Sequence, residues 1–352
     1  MKHIKTTVTV LAAAALLSAC RGQFKPLPRA EGSEELDNAF AECIEGMKEA
    51  GDLHSMMVLQ HGKVVEERQI APDTAHFMMS VSKTFTSAAV GFAIEEGLLG
   101  LDDKIVDLWP EKVPADAQEA LGRITIRHLL TMNSGHGKDP TNAVWNSSDG
   151  FFSQDDLITK FMSWPIEYEP GTCFCYNSLG TYLLSAAVQK VSGQKIVDYL
   201  EPRLWKPLGI QKPRWDESPA GINCGGWGLY LHTEDMARMG LCLLQGGRFN
   251  GKQVIPQRWA HEMSSAQVES SFAGINTYQA IEMGIQKEGN DWMQGYGYQM
   301  WRCTHNGFRA DGAAGQYIII LPDKDAVIVT TAKIDNMFLE IHLIWKYIYP
   351  NL

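Results

Sequence analysis

The stretch Met79-Ser80-Val81-Ser82-Lys83, continued by Thr84-Phe85-Thr86-Ser87-Ala88-Ala89-Val90-Gly91-Phe92, decides how this chain is read. On a helix Ser80 and Lys83 stand three residues apart on one face, so the ammonium reaches the hydroxyl. Serine beside lysine is a nucleophile with its base, provided burial lowers the lysine pKa enough to populate the free amine. The following residues supply that burial. They are small, and Val81, Phe85, Ala88 and Phe92 form an apolar stripe, so the helix is expected to be packed on all sides. Glu95-Glu96-Gly97 then ends it with a C-terminal glycine. The same spacing recurs at Ser192-Gly193-Gln194-Lys195, but at the polar end of the apolar run Tyr182 to Val191. There the glycine signals a helix stop, and Ser192 reads as a cap or turn.

Working outward, Ser33 precedes a helical stretch from about Glu34 to Ala50, with Leu36, Phe40, Ile44 and Met47 at helical spacing. Met56 to Gln60 and Val64 to Gln69 are strand-like and separated by His61-Gly62-Lys63, a hairpin signal. The middle, roughly 80–215, is mostly helix and loop. The last hundred residues turn β-rich: Tyr298 to Cys303, Gln316 to Leu321 and Ala326 to Ala332 are strand-like, the last two joined by Pro322-Asp323-Lys324-Asp325. An amphipathic helix closes the chain from about Met337 to Tyr349. Two strands near the start and about three near the end fit one sheet. Its two ends come together around an inserted helical lobe, about residues 100–215, within a domain spanning 34–335 that the helix of 336–352 covers. The fold class is α/β (α+β), an antiparallel sheet with flanking helices.

Composition agrees: 45% hydrophobic and 20% charged residues in 352 make a globular chain with a large core. Lys plus Arg at 31 against Asp plus Glu at 41 gives a net charge of −10, and without a basic cluster this excludes nucleic acid as a partner. At the N-terminus Lys2 and Lys5 precede an apolar run, Val8 to Leu17. That run is shorter than the roughly 20 residues a bilayer span needs, so it reads as a signal peptide, residues 1–19. Its end, Leu17-Ser18-Ala19-Cys20, is similar to the lipobox of bacterial lipoproteins. The resemblance implies cleavage before Cys20, a lipid on its thiol, a tether over 20–33, and a periplasm-facing protein of the bacterial cell envelope held to the membrane by that lipid. Six further cysteines, Cys43, Cys173, Cys175, Cys224, Cys242 and Cys303, are scattered. Export permits a disulfide, but most read as small buried hydrophobes. No zinc site is expected: Cys303-Thr304-His305 lacks a second pair, and His261-Glu262 has no partner histidine at 265. Gly225-Gly226-Trp227-Gly228 does not lead from a strand into a helix with phosphate spacing, so it is not a nucleotide loop.

Collinear with the Ser80 stretch stand Glu95-Glu96-Gly97-Leu98-Leu99-Gly100-Leu101-Asp102-Asp103 and Ile124-Thr125-Ile126-Arg127-His128-Leu129-Leu130-Thr131-Met132-Asn133-Ser134-Gly135. Pro170-Gly171-Thr172-Cys173-Phe174-Cys175-Tyr176-Asn177-Ser178 and Gly225-Gly226-Trp227-Gly228-Leu229 follow. Over residues 50–335 the chain resembles the serine β-lactamase and penicillin-binding-protein-like family, especially its class C-like branch with esterases and amide hydrolases. The resemblance implies an α/β lobe, an inserted helical lobe and a cleft between them. It implies a serine hydrolase without a cofactor: Ser80 attacks an amide or ester carbonyl, Lys83 and Tyr176 handle the proton, and water releases the acyl group. Either Lys83 or Tyr176 fits the base role, since a phenol beside an ammonium has its pKa lowered. The oxyanion hole implied is the backbone N–H of Ser80 with that of Ala313.

Two positions depart from the family pattern. Where the family has Tyr-x-Asn this chain reads Tyr176-Asn177-Ser178, so the side chain expected to hold the substrate is the shorter hydroxyl of Ser178. The third motif, Lys-Thr-Gly or His-x-Gly on the edge strand, aligns with Ala310-Asp311-Gly312, with Arg309 adjoining. Arg309, Asp311 and Gly312 are therefore expected at the substrate, with Ala310 where the cation would stand and the Asp311 carboxylate at the position of the threonine. A literal His305-Asn306-Gly307 lies upstream, but Asn-Gly between strand-like residues reads first as a turn. His136, Trp227, Trp292 and Trp301 read as core first and cleft lining second. The expected activity is cleavage of an amide or ester in a small-molecule or peptide-like substrate. The alternatives are a β-lactamase or D-alanyl-D-alanine carboxypeptidase, or a binding protein on the same fold without turnover.

Overall fold

Ser33 starts the first helix, α1 (Glu34–Met47), by accepting the N–H of Leu36 at 3.1 Å, the cap its position before an acidic first turn promises. The computed structural model describes residues 25–117, 119–141 and 156–352. The signal segment, Cys20 and the beginning of the tether lie outside them. Residues 25–30 do not behave as a free tether. Ala30 and Pro28 pair with Val64, Leu27 is buried with its N–H on Glu234, and Arg29 meets Glu67. An apolar leucine and two backbone bonds to an otherwise open strand edge outweigh the polar composition that suggested a linker.

The hairpin of β1 (Gly51–Gln60) and β2 (Lys63–Gln69) forms as its residues predict, turning on His61-Gly62. Four late strands join it: β3 (Trp301–Arg302), β4 (Phe308–Gly312), β5 (Gln316–Leu321) and β6 (Ala326–Ile334). The sheet is antiparallel with order β2-β1-β6-β5-β4-β3. The N- and C-terminal strands meet at β1 and β6, in register from Gly51 opposite Ile334 to Gln60 opposite Ala326, across one irregularity near Leu53.

Two expectations shift. The strand sought over Tyr298 to Cys303 shrinks to two residues, because Gln299 takes a left-handed φ of +66° and breaks the extended run. β4 was missed by residue pattern. Its five residues are buried on both faces, yet Arg309 and Asp311 give it a polar look. Pairing of β4 with β3 stops at Arg309, so Ala310 to Gly312 carry an edge with no strand beside it.

Helices cover both faces. α1 and the C-terminal run, α5 (Met337–Leu343) continued helically to Asn351, pack Phe40, Met47, Ile344 and Ile348 against Val58, Ile319 and Ile328. On the opposite face α2 (Ser82–Glu95) and α4 (Thr233–Leu244) share a core with Ile318, Val327 and Val329. α3 (Ser178–Ser192) packs on α2 and belongs to the helical segment between the two groups of strands. All six later cysteines are free and buried. His305-Asn306-Gly307 is the β3–β4 turn, both His305 and Asn306 having positive φ, and the imidazole stacks on Trp345, 4.7 Å between ring centroids.

Candidate active site

The chain reaches Ser80 through a bent entry. Met79 sits at φ +47°, a conformation that costs a non-glycine residue roughly 1–2 kcal/mol, and Ser80 follows in a single 3₁₀ turn before α2 begins. Ser82 holds the bend: its hydroxyl donates to the Met79 carbonyl at 2.7 Å and accepts the Leu229 N–H at 3.3 Å. Met78 N–H is bonded to the Leu229 carbonyl at 2.8 Å. Ser80 is half-buried, whereas the following run from Val81 to Ala93 is buried throughout, as the all-round apolar reading of this helix requires.

Lys83 is 1% exposed and surrounded by three oxygens. Its Nζ lies 3.0 Å from Ser80 Oγ, 2.9 Å from Ser178 Oγ and 2.7 Å from the Gly226 carbonyl. Burial pulls its pKa down to about 7, against the opposing pull of Asp139 and Asp311. A neutral amine has two N–H donors and one lone pair. Gly226 can only accept, and Ser178 can also accept, which leaves the lone pair for the Ser80 hydroxyl. The glycine-rich loop, rejected above for nucleotides, thus has a part that spacing alone did not show. A Cβ on Gly226 would come within 2.8 Å of the Ser178 carbonyl and 3.5 Å of Lys83 Nζ, so glycine lets this carbonyl approach.

Tyr176 stacks on Trp301 at 5.4 Å and stands edge-on to Tyr296, with Lys83 Nζ 4.8 Å from its ring centroid. Burial pushes its pKa well up, beyond what the hydrogen bond to Ser80 offsets. The expectation of a lowered phenol pKa is therefore corrected. The apolar aromatic box costs a phenolate its hydration, and two carboxylates, Asp311 and Asp139, oppose the negative charge. Tyr176 therefore stands beside Ser80 as a neutral phenol.

Ser178 begins α3 and accepts from Lys83, so its hydroxyl orients the amine rather than replacing an amide that reaches outward. The start of α3 is capped by three side chains. Asn177 accepts Gly180 N–H, Thr141 accepts Leu179 N–H, and Asp139 accepts Ser178 N–H. Asp139, absent from the sequence-based site, places a carboxylate near Lys83. Its pKa is raised by burial, and hydrogen bonds from Thr141 and the field of Lys83 oppose that rise. No local motif marks it, because the capping contact bridges 39 residues of chain, from Asp139 to Ser178.

On the edge strand the pleat separates the expected substrate residues. Gly312, next to Ala313 in sequence, lies against the nucleophile bend, where a Cβ would fall 2.6 Å from the Met78 carbonyl and 3.3 Å from Met79 Cβ. Arg309 is fully buried, with Trp292 and Trp301 rings 4.7 and 5.8 Å from its guanidinium carbon, and donates to Asp311 and to the carbonyls of Asp291 and Arg302. It does not reach substrate, which corrects that expectation. Strand alternation turns it with Asp311 to the face away from Ala310. Asp311 Oδ2 lies 3.0 and 2.9 Å from Arg309 Nε and Nη2. An unpaired Arg309 would be a buried charge without compensation, so the pair is ionised and Asp311 presents less negative charge to the cleft than its sequence position promised. Among the described residues no group of three or more His, Cys, Asp or Glu is placed to hold a metal. His136 is buried core, its Nδ1 2.8 Å from Ser134 Oγ.

The Beta-lactamase family model matches residues 40–340. The chain belongs to that family. Among its relatives, the 6-aminohexanoate-dimer hydrolase of Paenarthrobacter ureafaciens is 27% identical over 292 residues, 78% of this chain and 71% of the relative. The esterase EstB of Burkholderia gladioli is 28% identical over 208 residues, 53% of this chain and 52% of that one. A solved structure, the putative 6-aminohexanoate-dimer hydrolase from Bacillus anthracis, superposes with a TM-score of 0.71 at 21% identity, covering 94% of this chain and 87% of that one. The fold and the class follow: a serine hydrolase of the β-lactamase and penicillin-binding-protein family, acting on amides or esters.

Proposed function

We infer that the protein is an exported, lipid-anchored hydrolase of small amides or esters that works through an acyl-enzyme on Ser80. The observation that carries this reading is the Lys83 amine, buried, lowered to about 7 and within 3.0 Å of Ser80 Oγ. Lys83 takes the Ser80 proton as Oγ attacks the carbonyl carbon. The tetrahedral oxyanion is held by the N–H groups of Ser80 and Ala313. Tyr176, a neutral phenol bonded to Ser80, gives its proton to the departing amine or alkoxide and is reprotonated by the Lys83 ammonium, which leaves the amine free again. Water activated by the same amine then hydrolyses the acyl-enzyme and restores Ser80.

Substrate choice follows from the edge strand. Arg309 is committed to Asp311 and buried, and Ala310 offers no cation, so a substrate carboxylate finds no partner on this strand. Neutral substrates are favoured over penicillins and cephalosporins. The relative named an esterase supports that preference. The test is kcat/KM for a neutral aryl ester and for nitrocefin on the same preparation. One missing charged hydrogen bond, about 1.5–3 kcal/mol, predicts a ratio of about 10–100 in favour of the ester. Equal values would overturn the substrate reading. For the anchor, Cys20→Ser is expected to move the protein from the membrane to the soluble fraction, and retention in the membrane would contradict lipidation.

A further inference from the structure

Behind the turn that carries Ala313 lies a carboxyl group without a counter-ion. Glu340 on α5 is 0% exposed, Oε1 lies 3.0 Å from Thr330 Oγ1 of β6, and Oε2 has no hydrogen-bond partner. Thr330 Oγ1 also lies 2.9 Å from the Gly315 carbonyl. A threonine hydroxyl has one hydrogen, and the Gly315 carbonyl can only accept it. The proton between Thr330 and Glu340 must then come from Glu340. The surroundings agree with a neutral acid. The titratable groups facing it are Asp311 from β4, Tyr317 from β5 and Cys43 from α1, none of them a cation, while His342 on its own helix faces solvent. Burial pushes the Glu340 pKa up to about 8.

The relay ends on an unusual piece of backbone. Ala314 and Gly315 both have left-handed φ, +64° and +85°, directly after Ala313. The Ala314 carbonyl accepts from Ile334 N–H and from Gln316 Nε2, each at 3.0 Å. The Gly315 carbonyl accepts from Thr330. A Cβ at Gly315 would sit 2.5 Å from Glu340 Oε2, so helix and turn are in contact at this point.

We propose that Glu340 is a positioning residue: as a neutral acid it donates to Thr330, Thr330 donates to Gly315, and this relay holds the turn that presents the Ala313 N–H to the reacting carbonyl oxygen. The proposal rests on the assignment of Ala313 above. When Glu340 loses its proton, Thr330 must turn its single hydrogen toward the carboxylate and the Gly315 carbonyl is released. Catalysis then fails on the alkaline side while substrate binding persists.

The test compares wild type, Glu340→Gln and Thr330→Val with a neutral aryl ester from pH 6 to pH 9, together with carboxyl infrared spectra of wild type and Glu340→Gln. An amide keeps a donor at every pH. Wild-type kcat is expected to fall about tenfold between its maximum and one pH unit above 8. Glu340→Gln is expected to hold its plateau there, and Thr330→Val to lower kcat at all pH values with KM unchanged. The carbonyl band of a neutral acid is expected in wild type at pH 7 and to fade by pH 9, a reading that survives if the variants do not fold, and to be absent from folded Glu340→Gln. An identical alkaline limb in wild type and Glu340→Gln, or no such band, overturns the proposal. Turnover surviving in Ser80→Ala would instead overturn the active-site reading and leave the infrared result to judge Glu340.

Discussion

The chain writes Ser-x-x-Lys twice and makes two different objects of it. At Ser80 the pattern lies where the chain enters a helix buried on every side, and Lys83 surrenders its water to three oxygens. At Ser192 it lies where α3 ends. Ser192 Oγ donates to the Val188 carbonyl at 2.6 Å, Gly193 closes the helix at φ +71°, and Lys195 pairs with Glu217 at 38% and 37% exposure. The partner of this exposed lysine is a carboxylate, 2.6 Å away, and not the serine hydroxyl. What separates the two is desolvation, and the residues that cause it lie outside the motif.

The largest expected difference is in turnover. Ser80→Ala is expected to lower kcat by at least about 10⁴, because nucleophile and base act as a unit. Ser192→Ala, a surface change, is expected to leave kcat within about twofold. Steady-state kinetics on both decide it, and a comparable loss in Ser192→Ala would break the contrast. Next, Lys83→Met is expected to cost about 10²–10⁴ in kcat and Lys195→Met nothing measurable. The pH profile sharpens this. As the free amine is the active form, kcat/KM is expected to rise about tenfold per unit below about 7 and level off between about pH 7 and the alkaline fall assigned to Glu340. A wild-type profile flat from pH 5 to 7 would contradict a lowered lysine.

The smallest effect is on stability. The folded Lys83 pKa, about 7, lies below the unfolded value, so the unfolded chain binds the extra proton between about pH 7 and pH 10.5. Wild-type stability relative to Lys83→Met is therefore expected to increase as pH rises through that window. It should be lowest below pH 7, where burial of the ammonium is least compensated. Denaturant midpoints at pH 6.5 and 9 measure it. A midpoint difference independent of pH would mean that Lys83 titrates normally.

Much of this contrast was legible before any coordinates. The apolar stripe after Ser80 and the glycine after Ser192 foretold burial in one place and a helix end in the other, since both are local signals. The hairpin at His61-Gly62 and the strand Gln316–Leu321 were equally local. Features made by tertiary packing were not legible. Asp139 meets the start of α3 from 39 residues earlier in the sequence, and the Gly226 carbonyl bears no side chain to advertise it. Arg309 looked like a substrate ligand because its burial depends on Trp292, Trp301 and strand alternation, none of which its neighbours in sequence reveal. Tyr176 was read from the charge beside it, yet the aromatic box around it decides its proton. Residues 25–30 looked like a linker because a backbone pairing with Val64 leaves no mark on composition.

The most direct measurement is the site of acylation. Wild-type protein is treated with a fluorophosphonate probe, digested and mapped by mass spectrometry. The adduct is expected on the peptide containing Ser80, stoichiometric and absent from Ser80→Ala, with none on the peptide containing Ser192. An adduct on Ser192, or full ester turnover by Ser80→Ala, would contradict the claim that burial of Lys83 is what turns this serine into a nucleophile.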